Sequence, residues 1–408
     1  MINEKYDNES QKSLIGIRIY QRGIRRANRI IIADVLKGLG ELEDNTVNCC
    51  VTSPPYYRLR DYKGIPAVEW PDGWVGQLGH EKTVEEYIAH VVGVFREVSR
   101  VLRKDGTVWL NIADSYAGIG NPEFNKNRQS RANTKTPGKS IPPGLKRKDL
   151  CGIPWRVALA LQDDGWWLRS DIIWQKTNCM PESVKDRPTR SHEHIFLLTK
   201  SARYWYDAEA IREKGSGRTP GNKTYKYDGV PGHETKQGIL AQSDIPQLTR
   251  SARDVWTFPS GNYKGPHFST FPAELPKRCI LAGCPSKVCA VCGSPWVNEV
   301  EKGFTAHDGE TKTEYPKGTT SNRLALLRQA ARERGGEYQN ARKVLGLRPT
   351  CACNAETRPG VVLDPFAGSG TTGMVAKTLG RNYILIETNS SFETLIEKRL
   401  ASAQEPRP

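Results

Sequence analysis

Residues 361–387 leave little choice of architecture. Val361-Val-Leu-Asp364 is a short apolar run, and Tyr383-Ile-Leu-Ile-Glu387 is another. Between them lie a tight glycine-rich turn and a helical pattern over 372–379. A strand, a turn, a helix and a second strand in so few residues predict a parallel pair joined by a crossover helix. The same rhythm returns upstream. Arg29-Ile-Ile-Ile-Ala33 and Val47-Asn-Cys-Cys-Val-Thr52 read as buried strands. Residues 83–103 read as a helix that opens on a Thr83/Glu86 capping box. Its apolar stripe runs through Val84, Tyr87, Ile88, Val91, Phe95, Val98 and Leu102. Thr107–Ile112 is the next strand. A helix near 154–163 and strands near 171–175 and 194–199 follow, and residues 322–345 are a candidate helix. The expected fold is α/β: a mostly parallel Rossmann-like sheet with helices on both faces and loop-rich insertions.

The chain carries 60 Lys and Arg against 45 Asp and Glu, a net charge of +15. Such a balance favours a polyanionic partner, because cations that neutralise phosphates release condensed counterions. No apolar run is long enough to span a bilayer, and the first residues hold no apolar signal core. A cytoplasmic location is the expectation. A basic, loop-rich stretch at 116–150 carries Lys126, Arg128, Arg131, Lys135, Lys139, Lys146, Arg147 and Lys148 as candidate nucleic-acid contacts. A solvated insertion would look the same.

Two turns carry the chemistry. The first is Asp364-Pro365-Phe366-Ala367-Gly368-Ser369-Gly370-Thr371, between a strand and a helix. Glycines there let the backbone approach a ligand at the carboxyl end of the sheet. The Lys of a nucleoside-triphosphate loop is missing, and so is the spacing of a dinucleotide fingerprint. Glu387, ending the next strand, is placed to accept ribose hydroxyls. Glycine turns are common, and this one alone decides nothing.

The second turn is Ser53-Pro54-Pro55-Tyr56, which ends a strand because two prolines cannot continue a ladder. An aromatic amine is a poor nucleophile while its lone pair is delocalised into the ring. Acceptors around the NH2 favour the rehybridised geometry that can attack a methyl sulfonium. The Ser53 hydroxyl and the Pro54 carbonyl suit that task. Pro55 stiffens the turn, and Tyr56 offers a stacking face for a flipped base. Direct displacement needs no nucleophilic cysteine, so Cys49 and Cys50 read as core. In isolation the tetrapeptide reads more readily as a plain proline turn.

Together the two turns resemble the DNA amino-methyltransferases. The D/N/S-P-P-Y/F/W tetrapeptide is Ser53–Tyr56 here, and the D-P-F-x-G-x-G-T loop is Asp364–Thr371. Catalytic turn first and cofactor loop last is similar to the circularly permuted β class. The resemblance implies S-adenosylmethionine as cofactor, double-stranded DNA as substrate and base flipping. It implies cofactor contacts at Asp34, Phe271, Pro272, Asp364, Pro365, Phe366, Gly368, Ser369, Gly370, Thr371 and Glu387. Ser53 in place of Asp is similar to cytosine-N4 members. Adenine N6 stays open, as does an RNA or protein amide substrate. A non-catalytic zinc-containing DNA-binding protein would not need both turns. A homodimer and a separate cognate restriction endonuclease are compatible with such an enzyme.

Ten cysteines are unevenly spread. Cys289-x-x-Cys292 and Cys351-x-Cys353 are two close pairs that can give four thiolates to a tetrahedral, structural zinc. The chain then divides into an arm (1–28), a catalytic half (29–204), a target-recognition region (205–255), a cofactor-side helix segment (256–285), a zinc-knuckle insertion (286–359) and a cofactor-binding half (360–408).

Overall fold

In the computed structural model, which describes residues 27–59, 65–118, 141–214, 249–261, 271–305, 311–312 and 339–404, the strand–helix alternation builds an eight-stranded sheet. Its strands are β1 (Arg29–Ile32), β2 (Val47–Thr52), β3 (Leu102–Ile112), β4 (Trp167–Gln175), β5 (His192–Thr199), β6 (Val255–Thr257), β7 (Val361–Asp364) and β8 (Asn382–Glu387). Their spatial order is β1-β8-β7-β2-β3-β5-β4-β6. The helices are α1 (Val35–Gly40), α2 (Val84–Val101), α3 (Ile153–Asp163), α4 (Glu274–Gly283), α5 (Thr371–Thr378) and α6 (Glu393–Ser402). The capping box of α2 forms: the Glu86 N–H donates to the Thr83 hydroxyl at 3.1 Å, and the Glu86 carboxylate accepts the Thr83 N–H at 3.0 Å.

Both faces of the sheet are covered. Along β8, Ile384 and Ile386 join the large core with α1, α2 and α3. Leu385 points the other way, to Ile396 and Leu400 of α6. Alternation along a strand requires this when both faces are buried. On the second face the backbone of α4 comes very close to β3. A Cβ on Gly283 would stand 2.3 Å from both the Thr107 hydroxyl and the Trp109 indole nitrogen.

The sheet is mixed rather than purely parallel. β5 lies between β3 and β4 and is antiparallel to both. Every other pairing in it is parallel.

The direction of winding reverses between β7 and β2. From β7 the chain passes through α5 to β8 on one side; from β2 it passes through α2 to β3 on the other. A reversal of this kind opens a crevice at the strands' carboxyl ends.

The chain divides into two compact units. The first holds the sheet and comprises the residues up to 210, then 253–295 and 351 onwards. The second holds 211–252 and 296–350. Within the second, Trp296–Thr305 pairs antiparallel with Gln339–Pro349, with a bulge at Glu299/Val300. The helix expected over 322–345 is therefore corrected: 339–349 is a strand, and 313–338 lies outside the described residues. Ladder bonds to 296–305 satisfy this backbone, and Gly346 at φ +158 departs from helical geometry. Residues 1–26 of the expected arm (1–28) and the basic positions Lys126, Arg128, Arg131, Lys135 and Lys139 also lie outside the described residues. Among the described residues no helix is long and apolar enough to cross a membrane.

Candidate active site

β2 and β7 are neighbours, so the two chemical turns leave the sheet side by side. The Thr52 hydroxyl, at the end of β2, donates to Asp364 Oδ1 at 2.7 Å, at the end of β7. Asp364 Oδ2 accepts from the Thr372 hydroxyl at 2.6 Å, and Oδ1 also accepts the Phe366 N–H at 3.1 Å. Burial pushes the Asp364 carboxyl up to about 6, against the pull of these donors. This aspartate is thus an internal brace for its own loop.

The glycine loop is held from beneath by Glu387. One carboxylate oxygen accepts the Gly368 N–H at 2.8 Å and the other the Asn389 N–H at 2.8 Å. Burial pushes Glu387 up to about 7. Gly368 has φ +53 and Gly370 φ +76, the left-handed region that side chains avoid. A Cβ on Gly370 would also meet Ile396 at 2.8 Å. From α6, Arg399 donates to the Ser369 carbonyl at 3.0 Å, the Thr371 hydroxyl at 3.0 Å and the Ser369 hydroxyl.

Asp34 follows β1, which pairs with β8. Its carboxylate accepts the Lys37 N–H at 3.0 Å and so caps α1. It also lines a cavity of about 980 Å³ bounded by Ile32, Thr388 and Trp70. Trp70 belongs to a segment clamped on α2 by His90. The His90 ring stacks on Trp70 (4.4 Å) and Trp74 (5.1 Å), with Nδ1 2.9 Å from Glu81 and Nε2 3.1 Å from Asp72. Phe271 and Pro272 lie half-buried before α4, which packs on α5.

The Ser53–Tyr56 turn is fixed at several points. The Tyr87 hydroxyl donates to the Pro55 carbonyl at 2.9 Å. The Arg58 N–H donates to the Gly79 carbonyl at 2.8 Å. Pro54 is buried, and among the described residues no donor reaches its carbonyl. The Ser53 hydroxyl donates to Tyr56 Oη at 3.0 Å, and Tyr56 donates to Glu193 at 2.7 Å. Glu193 also accepts from the Asn111 amide at 3.0 Å and pairs with the Lys176 ammonium. Cys49 and Cys50 are fully buried in β2, and burial pushes both thiols well up, away from nucleophilic behaviour.

The two cysteine pairs converge. The sulfurs of Cys289, Cys292, Cys351 and Cys353 all lie within 4.8 Å of one another. Val288–Cys289 pairs antiparallel with Thr357–Arg358, and Gly293 turns the knuckle at φ +72. Lys146, Arg147 and Lys148 are exposed; Lys148 faces Asp186 at 2.6 Å and Lys146 faces Asp149 at 3.8 Å.

Sequence reasoning did not single out Thr52, Asn111, Lys176, Glu193 or Arg399. A usable signal existed for one of them: Asn111 is a polar residue inside the apolar strand run 108–112.

A sequence model of the DNA methylase family matches residues 47–288 and 326–398. The Type II methyltransferase M.SmaI of Serratia marcescens is 34% identical over 376 residues, covering 92% of this chain and 91% of that protein. The Type II methyltransferase M.Cfr9I of Citrobacter freundii is 36% identical over 372 residues, covering 90% and 85%. Among solved structures, the chain resembles the PvuII DNA methyltransferase (cytosine-N4-specific) at 15% identity and a TM-score of 0.46, covering 91% of this chain and 86% of that one.

Proposed function

The chain belongs to the DNA methylase family and is an N4/N6 DNA amino-methyltransferase, and we propose that it methylates cytosine N4 of a flipped base in double-stranded DNA, with S-adenosylmethionine as donor. The observation that carries the reading is the placement of Ser53 beside the glycine loop, through the bond from Thr52 to Asp364. The residues fit the cofactor. The left-handed glycines allow close backbone approach, and Glu387 keeps acceptor capacity beside that loop. Asp34 faces the adjoining cavity. Phe271, Pro272, Pro365, Phe366, Ser369 and Thr371 complete the proposed contacts. S-adenosylmethionine supplies a methyl group on a sulfonium.

The protein's part is to prepare the nucleophile. Ser53 Oγ and the Pro54 carbonyl accept the two N–H bonds of the base amine and draw its lone pair out of conjugation. Pro55 keeps the pair of acceptors in register, and the Tyr56 ring stacks on the base. Ser53 rather than Asp favours cytosine; adenine N6 is the second reading.

The four cysteines fit a structural Zn2+. Tetrahedral ligands at about 2.3 Å from zinc leave sulfurs just under 4 Å apart, compatible with a cluster inside 4.8 Å. Residues 205–255 and the basic loop 116–150 are the proposed target-recognition and backbone contacts. A separate restriction endonuclease is the proposed cognate partner.

The deciding experiment is methylation of polymerase-amplified, unmethylated DNA with labelled S-adenosylmethionine, followed by nucleoside mass spectrometry. N4-methylcytosine is expected. N6-methyladenine would keep the enzyme class and overturn the base assignment.

A further inference from the structure

The polar network behind the catalytic turn is buried where apolar residues would pack more cheaply. Asn111 on β3 and Glu193 on β5 are both buried, Asn111 within the buried stretch 106–112 and Glu193 between the less buried His192 and His194. Asn111 is 1% exposed and Glu193 9%. Lys176, just past β4, is paired with Glu193 and lies 5.0 Å over the Trp174 ring. Asn111 of β3 and Lys176, just past β4, therefore both bind a single buried carboxylate on β5, the strand between them. That carboxylate touches the turn at one atom, the Tyr56 hydroxyl.

The direction of every hydrogen bond in this chain follows from the inventory of donors. A lysine ammonium donates only, so Glu193 beside it acts as a carboxylate, which accepts only. The Tyr56 hydroxyl lies 2.7 Å from Glu193 and 3.3 Å from Asn111 Oδ1, both acceptors, so its single proton goes to this pair, by the shorter bond to Glu193. Its oxygen can then only accept from Ser53, at 3.0 Å. The Ser53 proton is thereby turned towards Tyr56, and the lone pairs of Ser53 Oγ are left for another donor.

We infer that Glu193, acting through Tyr56, is a positioning residue that makes Ser53 an obligatory hydrogen-bond acceptor for the base amine. The inference rests on the proposed role of Ser53 as that acceptor. It supplies what the serine lacks. An ionised aspartate at this position accepts whatever its orientation, whereas a hydroxyl can donate or accept. A hydroxyl that donated to the base would leave the amine lone pair in hydrogen bonding rather than free for attack. The relay removes that option, and Asn111 and Lys176 hold Glu193 in the acceptor state.

The test is a double-mutant cycle on single-turnover methyl transfer to polymerase-amplified DNA. S-adenosylmethionine binding is measured on every variant as the control for folding. Tyr56→Phe keeps the ring, and Glu193→Gln keeps the side-chain shape while placing an amide donor among donors. Each should lower the transfer rate about 10- to 100-fold, the scale of a hydrogen bond to a charged group, with cofactor affinity unchanged. On a Ser53→Ala background each should change the remaining rate less than about threefold, because there is no hydroxyl left to orient. A full second loss on that background would overturn the inference while leaving the Ser53 assignment intact. If Ser53→Ala alone retained the parental rate, the underlying reading of the turn would fall, and this inference with it. Should Glu193→Gln not fold, Tyr56→Phe, which leaves Glu193 its bonds to Asn111 and Lys176, completes the cycle alone.

Discussion

The Thr52 hydroxyl donates to the Asp364 carboxylate at 2.7 Å and so ties the strand that delivers the Ser53–Tyr56 turn to the strand that delivers the glycine loop. Asp364 is 1% exposed, and burial holds its carboxyl at about 6. A group whose folded pKa is raised binds its proton more tightly in the native state. Its stabilising effect is therefore present at low pH and lost as pH rises towards about 6. The shift corresponds to roughly 3 kcal/mol. Asp364→Asn should remove this loss. The Thr372 hydroxyl can then accept from the new amide and donate to the Val51 carbonyl, already 3.4 Å away. In thermal melts the variant should gain on the parent between about pH 4 and pH 6. Parallel curves across that window would contradict the assignment.

Ser53→Ala should lower methyl transfer about 100-fold, the usual scale for one well-placed polar group at a reacting centre. Cofactor affinity, read by calorimetry, should not change. The opposite pattern, weakened cofactor binding with an unchanged transfer rate, would place Ser53 in the cofactor site instead.

Gly370→Ala meets two obstacles at once. The backbone is at φ +76, and the new Cβ would press on Ile396 at 2.8 Å. The combination should destabilise the protein by about 1–3 kcal/mol and weaken cofactor binding, because the loop must move. Chemical denaturation and cofactor titration of the same variant measure both. An unshifted denaturation midpoint would show that the loop tolerates a side chain.

His90→Leu keeps the bulk of the clamp and removes its polar ends. Glu81 is fully buried and would lose its imidazole partner, which leaves it backbone N–H donors such as that of Gly79. A loss of roughly 2–4 kcal/mol is expected for a buried carboxylate deprived of a partner. Trp70 bounds the cavity beside Asp34, so cofactor binding should weaken in parallel. Equal stability of parent and variant would rule out a clamp held by these bonds.

Purified protein should carry one zinc per chain by elemental mass spectrometry, and Cys292→Ser should lose it. Stripping the metal should lower the melting temperature and hasten proteolysis within 296–350, since the cysteine pairs close that stretch at both ends. A metal-free preparation with an unchanged melt would make the cluster a set of free thiols.

Much of the fold was legible because its signals are local. The capping box at Thr83 and Glu86 places the start of α2, and the apolar runs at 47–52 and 361–364 mark the central strands. The reversed strand β5 was not. An apolar strand buried on both faces carries the same pattern whichever way it runs. The strand at 339–349 was hidden for a related reason. Its partner is 296–305, and a ladder between distant segments leaves no periodic mark on a charged sequence.

The site divides along the same line. Ser53–Tyr56 and Asp364–Thr371 are contiguous turns, each with a backbone geometry that proline or glycine dictates, so the sequence by itself determined both of them and the chemistry they can serve. It also determined the two cysteine pairs. Only the tertiary structure decided what stands behind the turns. Thr52 reaches Asp364, Arg399 reaches Ser369, and Tyr56 reaches Glu193 only once the sheet is ordered β7-β2-β3-β5. A buried hydroxyl or carboxylate must find a partner wherever the fold offers one, and that partner's position in the chain is set by sheet topology, not by spacing.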